Sequence, residues 1–445
     1  MPDPASARLR FESPEFAADT GRLALRFTLE FGGRTRSLEE RFDFGPSLQP
    51  LAEERRAALR AAVDALHWIA GVSYWKVACR GEVEFADRRP GPETAKLLEA
   101  VYRDGLAELA WRNELAAPWW PEFGTGAADD GASPAPPLGL SERALVPMGG
   151  GKDSLVALER ARRTGLPIET VQVGQAELIG QVAHRTGLPH RRIERRIDPA
   201  LAELNAAGAL NGHVPITAIN AAALAVAAVL WDFRYVVFAN ERSADQPTLR
   251  MGGRTVNHQW AKSLAFEAGF DDWMRRSVAE DLRVFSLLRR ERELAVVRDF
   301  AGLDDYHGVF SSCNRNFHLD GARTDRWCGH CPKCLFVFLA LAPFLPPDSL
   351  SAIFGADLLA DPERVDGFAE LLELDGHRPF ECVGEADEAR AAVLALANNP
   401  VWAGHAVVRA LAPRVDRRCT PSIEALCAPG SEHRIPEVFD ALAAG

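Results

Sequence analysis

Residues 149–154, Gly149-Gly150-Gly151-Lys152-Asp153-Ser154, are the part of this 445-residue chain whose types and spacing point most directly to chemistry. Ahead of them Ala144-Leu145-Val146 reads as the end of a buried strand; after them Leu155, Val156, Leu158 and Ala161 recur at helical spacing. The glycines therefore mark a strand-to-helix corner. Bare backbone N–H groups there, together with the positive end of the helix dipole, favour a polyphosphate. The run is not a Walker A loop, because Val146 stands where that motif needs glycine and Asp153 where it needs Ser or Thr.

A second constellation is Cys313, Cys328, Cys331 and Cys334. Cys328-Gly-His-Cys331-Pro-Lys-Cys334 puts three thiolates on one knuckle, and Cys313 is close enough in sequence to return as a fourth ligand. Tetrahedral zinc in a closed structural site is the first expectation. An iron–sulfur cluster is the alternative, and His330 is a substitute ligand to weigh. Disulfides are disfavoured by an amino terminus, Met1-Pro2-Asp3-Pro4, without the basic and apolar regions of a signal peptide. Cys79, Cys382, Cys419 and Cys427 are scattered and read as buried or incidental thiols.

The chain has five lysines, Lys76, Lys96, Lys152, Lys262 and Lys333, against 46 arginines. A lysine that persists in so Arg-rich a chain is enriched for positions needing a compact or titratable amine. His258 and Lys262 are four apart, on one face if that stretch is helical, and are expected to supply an acid and a base. Lys76 and Cys382 are next in line. Arg250 and Arg254 bracket Met251-Gly252-Gly253 and could grip a phosphate or carboxylate in two-pronged fashion.

The elements that must hold these residues suggest an α/β protein. Residues 1–118 read as an α+β domain: an alternating strand from Leu23 to Phe31, a Gly32-Gly33 turn, a returning strand from Leu38 to Phe44, then helices from about Ala52 to Ala70 and Glu93 to Leu115. Residues 119–141 read as a Pro/Gly/Ala-rich linker containing Asp129-Asp130. From 142 to 345 strands and helices alternate, which implies a doubly wound parallel sheet. Its carboxyl edge should gather the 149–154 loop, Gly174-Gln175 and Asn240-Glu241-Arg242-Ser243 around one crevice. The region 346–445 reads as short helices. An apolar content of 47% fits a globular chain, and a net charge of −11 argues against nucleic acid or a membrane surface as partner. The apolar run Val214–Trp231 reads as a helix buried against a sheet rather than a membrane span. A cytoplasmic protein is expected, with no protein partner inferred.

With these residues in place, the loop resembles the Ser-Gly-Gly-x-Asp-Ser motif of the PP-loop ATP pyrophosphatase superfamily, with Gly149 in place of the first Ser. The resemblance implies ATP binding through Gly149, Gly150, Gly151, Lys152, Asp153 and Ser154, with Gly174 and Gln175 alongside and Mg2+ as companion. The cysteine spacing after such a domain is similar to a zinc-bearing enzyme of 7-deazaguanine synthesis. Over nearly the whole length, the segments Gly71–Lys76, Gly149–Ser154, Asn257–Ser263, Phe310–Arg315, Trp327–Leu341 and Pro379–Glu385 resemble the UDP-N-acetylmuramoyl-L-alanyl-L-glutamate epimerase family. That resemblance implies inversion of the terminal L-Glu of a UDP-muramoyl dipeptide to D-Glu, with ATP consumed to AMP and diphosphate through an acyl-adenylate. Lys152, Asp153, His258 and Lys262 would then be catalytic, and Asn240, Glu241, Arg250 and Arg254 would bind substrate. A carboxylate-adenylating amide ligase, a tRNA-modifying enzyme or a non-catalytic nucleotide sensor would share the loop.

Overall fold

The computed structural model describes residues 7–47, 51–126, 134–251, 253–317 and 326–440. Met1–Pro4, Asp129-Asp130 and Gly252 fall outside these residues.

The described strands are β1 (Arg8–Phe11), β2 (Glu15–Ala17), β3 (Arg22–Phe31), β4 (Arg34–Asp43), β5 (Glu82–Phe85), β6 (Ala144–Pro147), β7 (Ile168–Val173), β8 (His190–Arg196), β9 (Tyr235–Phe238), β10 (Leu249–Met251), β11 (Arg254–Val256) and β12 (Arg283–Ser286). Ten of them form one sheet in the order β12-β9-β6-β7-β8-β4-β3-β1-β5, with β2 beside β3. The chemistry of the amino-terminal hairpin is plain. Leu23, Leu25, Phe27 and Leu29 alternate inward on β3, and Leu38 and Phe42 do so on β4. Gly32 and Gly33 both adopt positive φ, as a two-residue turn between paired Phe31 and Arg34 requires.

From β12 to β8 the neighbours are parallel, and β6 lies between β7 and β9. In chain order this block runs fifth, fourth, first, second, third, so the winding reverses between β6 and β9. The sequence-based expectation of a parallel α/β sheet with alternating helices holds. β12, a four-residue run with no period to recognise, was not visible in the sequence. On its β8 side the parallel block does not end in a free edge: β8 pairs antiparallel with β4 through Phe42 and Arg195, joining the amino-terminal strands to it.

The helix Ile216–Trp231 is buried along almost its entire length and packs against the helix Glu53–Ala70. Among the described residues no helix is long and apolar enough to cross a membrane. The expected helix from Glu93 to Leu115 is two, Pro92–Gly105 and Ala107–Arg112, separated at Leu106. On the other face of the parallel block the buried helix Pro332–Leu341 meets Val365–Leu371 and Ala386–Ala397 from the short-helix region.

Candidate active site

The glycine loop leaves the carboxyl end of β6, at the reversal point, and runs into the helix Lys152–Arg162. Gly150 has φ +80, a region open to glycine at little cost. At Gly151 a Cβ would lie 2.5 Å from the Ser312 hydroxyl, whereas at Gly149 it would meet open space. The absent first hydroxyl of the motif is therefore a choice of residue, not a steric demand. Ser154 Oγ donates to Gly151 O at 3.0 Å, and Ser311 N donates to Gly150 O at 2.9 Å. The loop is thus held by the same segment that carries Cys313.

Lys152 does not point into open space. It is fully buried, and its ammonium donates to Asp153 and, at 2.7 Å, to Glu293 Oε1. Burial alone would lower its pKa; the two carboxylates outweigh that and raise it. Asp153, Glu241 and Glu293 present carboxylate oxygens within 4.8 Å of one another. Hard oxygens in that arrangement suit a magnesium ion that would keep part of its water shell, in competition with the Lys152 ammonium that bonds two of the three carboxylates. Behind them Ser243 Oγ accepts from Glu293 N at 3.1 Å and donates to Glu388 Oε2 at 2.8 Å. Glu388, fully buried, also accepts from Leu294 N at 2.8 Å and Glu385 N at 2.9 Å.

His258 and Lys262 are not on a helix. Asn257–Gln259 form a turn and Trp260–Lys262 one 3-10 turn, yet they lie against the Cys382–Val383 segment: Lys262 Nζ donates to Gln259 Oε1 at 3.2 Å, Gln259 Nε2 donates to Val383 O at 3.2 Å, and both cations act on the Cys382 thiol. His258 Nδ1 pairs with Glu108 Oε2 at 2.5 Å, and its ring lies 4.3 Å from that of His213. Burial opposes charge on His258, but the hydrogen bonds to Cys382 and Glu108 push it up to about 9. Burial, followed by the neighbouring His258, takes His213 down to about 3. Burial would raise the Cys382 thiol; Lys262 and His258 overcome it and bring it down to about 5.

Cys382 is half-buried, and the backbone around it is held by side chains. Lys333 donates to its carbonyl oxygen, Gln259 Nε2 to Val383 O at 3.2 Å, and buried Arg378 to Gly384 O at 2.6 Å. Sequence spacing gave no hint of Glu108, Arg289, Glu293 or Arg378. Arg289, 1% exposed, ties Glu241 O at 3.0 Å to Lys262 O at 2.6 Å and so fixes the two segments relative to each other.

Other expected residues stand further out. Gly174, with φ +101, ends β7, and Gln175 donates to Glu194 at 3.3 Å on the surface. Asn240 follows β9, at the reversal point. Arg254 stacks over Trp120, 4.7 Å from the ring centre, and shares with Arg250 a small β10–β11 ribbon. Among the described residues no hydrogen bond or ion pair ties either arginine to the loop. Lys76 is buried and donates to Asn211 Oδ1 at 2.5 Å, two residues from His213. A cavity of about 400 Å3 beneath the helix Glu53–Ala70, lined in part by Phe11, Asp64 and Trp68, contains none of the expected residues.

The four cysteines meet as expected. Sγ separations are 4.0 Å for Cys313–Cys331, 3.7 Å for Cys328–Cys334 and 3.4 Å for Cys331–Cys334. Zinc–thiolate bonds of about 2.3 Å give a tetrahedron with edges of about 3.8 Å, so the sulfurs surround a space for one ion. His330 instead faces the Arg364 guanidinium at 3.2 Å.

An α/β sheet with a phosphate-type loop at its reversal point, three carboxylates and a thiol–imidazole pair defines an enzyme-like site. Two family models, described as the MurL N-terminal domain and the MurL C-terminal domain, match residues 1–287 and 309–425. The chain is 46% identical to the UDP-N-acetyl-alpha-D-muramoyl-L-alanyl-L-glutamate epimerase of Xanthomonas oryzae pv. oryzae, over 89% of this chain and 90% of that one. It is 40% identical to the proteins of the same name from Salinispora tropica, over 97% and 94% of the two chains, and from a Micromonospora species, over 99% of both. The chain belongs to this epimerase family.

Proposed function

We propose that the protein inverts the α-carbon of the terminal L-glutamate of UDP-N-acetylmuramoyl-L-alanyl-L-glutamate, at the expense of ATP cleaved to AMP and diphosphate. The parallel block is, on this reading, a PP-loop ATP pyrophosphatase domain. The α-proton of a free carboxylate is very weakly acidic, since its removal builds a dianion. Joining the carboxylate to AMP abolishes that charge and acidifies the Cα–H; hydrolysis afterwards releases D-Glu and AMP. Residues 149–154, with Gly174 and Gln175, receive the nucleotide phosphates. Asp153, Glu241 and Glu293 hold the Mg2+ that accompanies them. Asn240, Glu241, Arg250 and Arg254 face the muramoyl dipeptide, His258 and Lys262 serve the proton transfer, and the four cysteines hold a structural zinc.

The observation that carries the reading is the meeting of two groups at one sheet edge, in a chain of this family. The phosphate-type loop with its carboxylates suits activation, and the Cys382–His258–Lys262 cluster beside it suits proton transfer. Asp153→Asn and Ser154→Ala are expected to lower ATP-dependent pyrophosphate release on the UDP-muramoyl dipeptide by on the order of 10²-fold or more, with melting temperature near that of the parent. Near-normal release by both variants would remove the loop from the mechanism.

A further inference from the structure

We infer that Cys382 is the base that takes the α-proton of the activated L-glutamate, with His258 and Lys262 beside it holding the sulfur in its thiolate form. The inference rests on the acyl-adenylate reading and adds to it the identity of the group that attacks the C–H bond.

A base needs a free electron pair. His258 lies between the Glu108 carboxylate and the Cys382 sulfur, both of which favour the imidazolium, and an imidazolium has no lone pair to offer. Lys262 is an ammonium beside Cys382 and in the field of Glu241 and Asp153. Of these three groups, the sulfur alone is stabilised in its unprotonated form. Two cations around one thiol make a standing thiolate, the usual way a cysteine is readied for chemistry.

Position supports the same assignment. Lys262 faces Cys382 on one side and the Asp153–Glu241 carboxylates of the activation centre on the other. A glutamyl-adenylate whose phosphate sits at the loop would bring its α-carbon toward the sulfur, within the field of the lysine. The backbone around the sulfur is clamped by Lys333 and Gln259 from two distant segments and by Arg378 from its own loop. An incidental thiol needs no such support; a base that must meet one C–H bond does.

The Cα–H bond breaks, the S–H bond forms, and the electron pair moves into the acyl oxygen as an enolate, which a nearby ammonium or imidazolium stabilises. A proton delivered by water from the opposite face closes the new Cα–H bond and returns the pair to carbon. Water then breaks the acyl–phosphate linkage, and the thiol returns its proton to solvent. Glu108 is a positioning residue: it acts through His258.

The test separates activation from exchange in Cys382→Ala and Cys382→Ser, with the UDP-muramoyl dipeptide, ATP and Mg2+ in heavy water. Both variants are expected to keep ATP-dependent pyrophosphate release within a few-fold of the parent. Deuterium at the glutamate Cα, and D-Glu itself, should fall by on the order of 10²-fold or more. Parent-like exchange in both variants would overturn the inference. So would an acyl adduct on Cys382 by intact-protein mass spectrometry, which would make the sulfur a nucleophile. Loss of pyrophosphate release in both variants at unchanged melting temperature would also overturn it, by placing the sulfur in activation. Failure of the parent protein to release pyrophosphate with this substrate would instead sink the acyl-adenylate reading, and the inference with it.

Discussion

Charge on the Cys382–His258 pair gives the exchange reaction a definite pH window. The thiolate forms above about 5 and the imidazolium survives to about 9, so deuterium exchange is expected to rise through the first value and fall through the second. These limits belong to the pair, which His213, Glu108, Lys262 and Glu381 all face. Glu108→Gln removes one of the two anions that support the imidazolium, so the alkaline limb should move below 9 while the acid limb moves up, since a weaker imidazolium supports the thiolate less. A pH profile of exchange checks this; limbs unmoved by Glu108→Gln would show that Glu108 does not act through His258. Stability follows the same signs. The depressed Cys382 contributes above its unfolded value of 9.0 and loses that contribution as pH falls through about 5. The raised His258 contributes fully below 6.5 and loses it as pH rises through about 9. Reading the sequence found the loop and the cysteine knuckle because their members are neighbours along the chain, so spacing alone reveals them. It found His258 and Lys262 for a reason that failed, since the helix meant to align them is a pair of turns. Cys382 and Glu108 come from segments far apart in the chain, and no local pattern marks such a meeting.

At the scale of elements, the cysteine knuckle bears on more than its own stability. Cys331 precedes the helix Pro332–Leu341, whose first turn places Lys333 on the Cys382 carbonyl. Cys313 follows Ser311, whose N–H holds Gly150 O at 2.9 Å. An ion held by the four cysteines would therefore fix both ends of the site, the phosphate-type loop and the thiol strap. Cys331→Ser, or stripping of the metal, is expected to lower the melting temperature by several degrees, and to weaken pyrophosphate release and exchange together. Elemental measurement on the parent should find one zinc per chain. Iron with a visible absorption band, or parent-like melting and activity in Cys331→Ser, would contradict this account. The knuckle and its apolar helix were readable from sequence, but their grip on the loop was not, because it runs through a backbone hydrogen bond that any residue could make.

At the scale of the whole molecule, the sheet runs without interruption from the parallel block into the amino-terminal strands, across the stretch that composition marks as a linker. The joint is β4 against β8, and its centre is an ion pair: Arg195 Nε donates to fully buried Glu40 Oε1 at 2.6 Å, with the guanidinium lying over Phe42. On the same side the helix Glu53–Ala70 covers the buried helix Ile216–Trp231, and Arg55 holds Asp232 at 2.9 Å where that helix ends. Composition could mark the linker but not the joint, because strand pairing between distant segments leaves no local signal. Removing one partner of a buried pair strands the other without compensation, so Glu40→Ala should cost about 3 kcal/mol, the low end of such changes because Arg195 retains some solvent. If the sheet makes one cooperative unit, urea denaturation of Glu40→Ala should still show a single transition, moved to lower denaturant and coincident by far-ultraviolet dichroism and by loss of ATP-dependent activity. An early transition that disorders the amino-terminal strands while activity persists would show that the two regions fold independently and that the β4–β8 joint is only a contact between them.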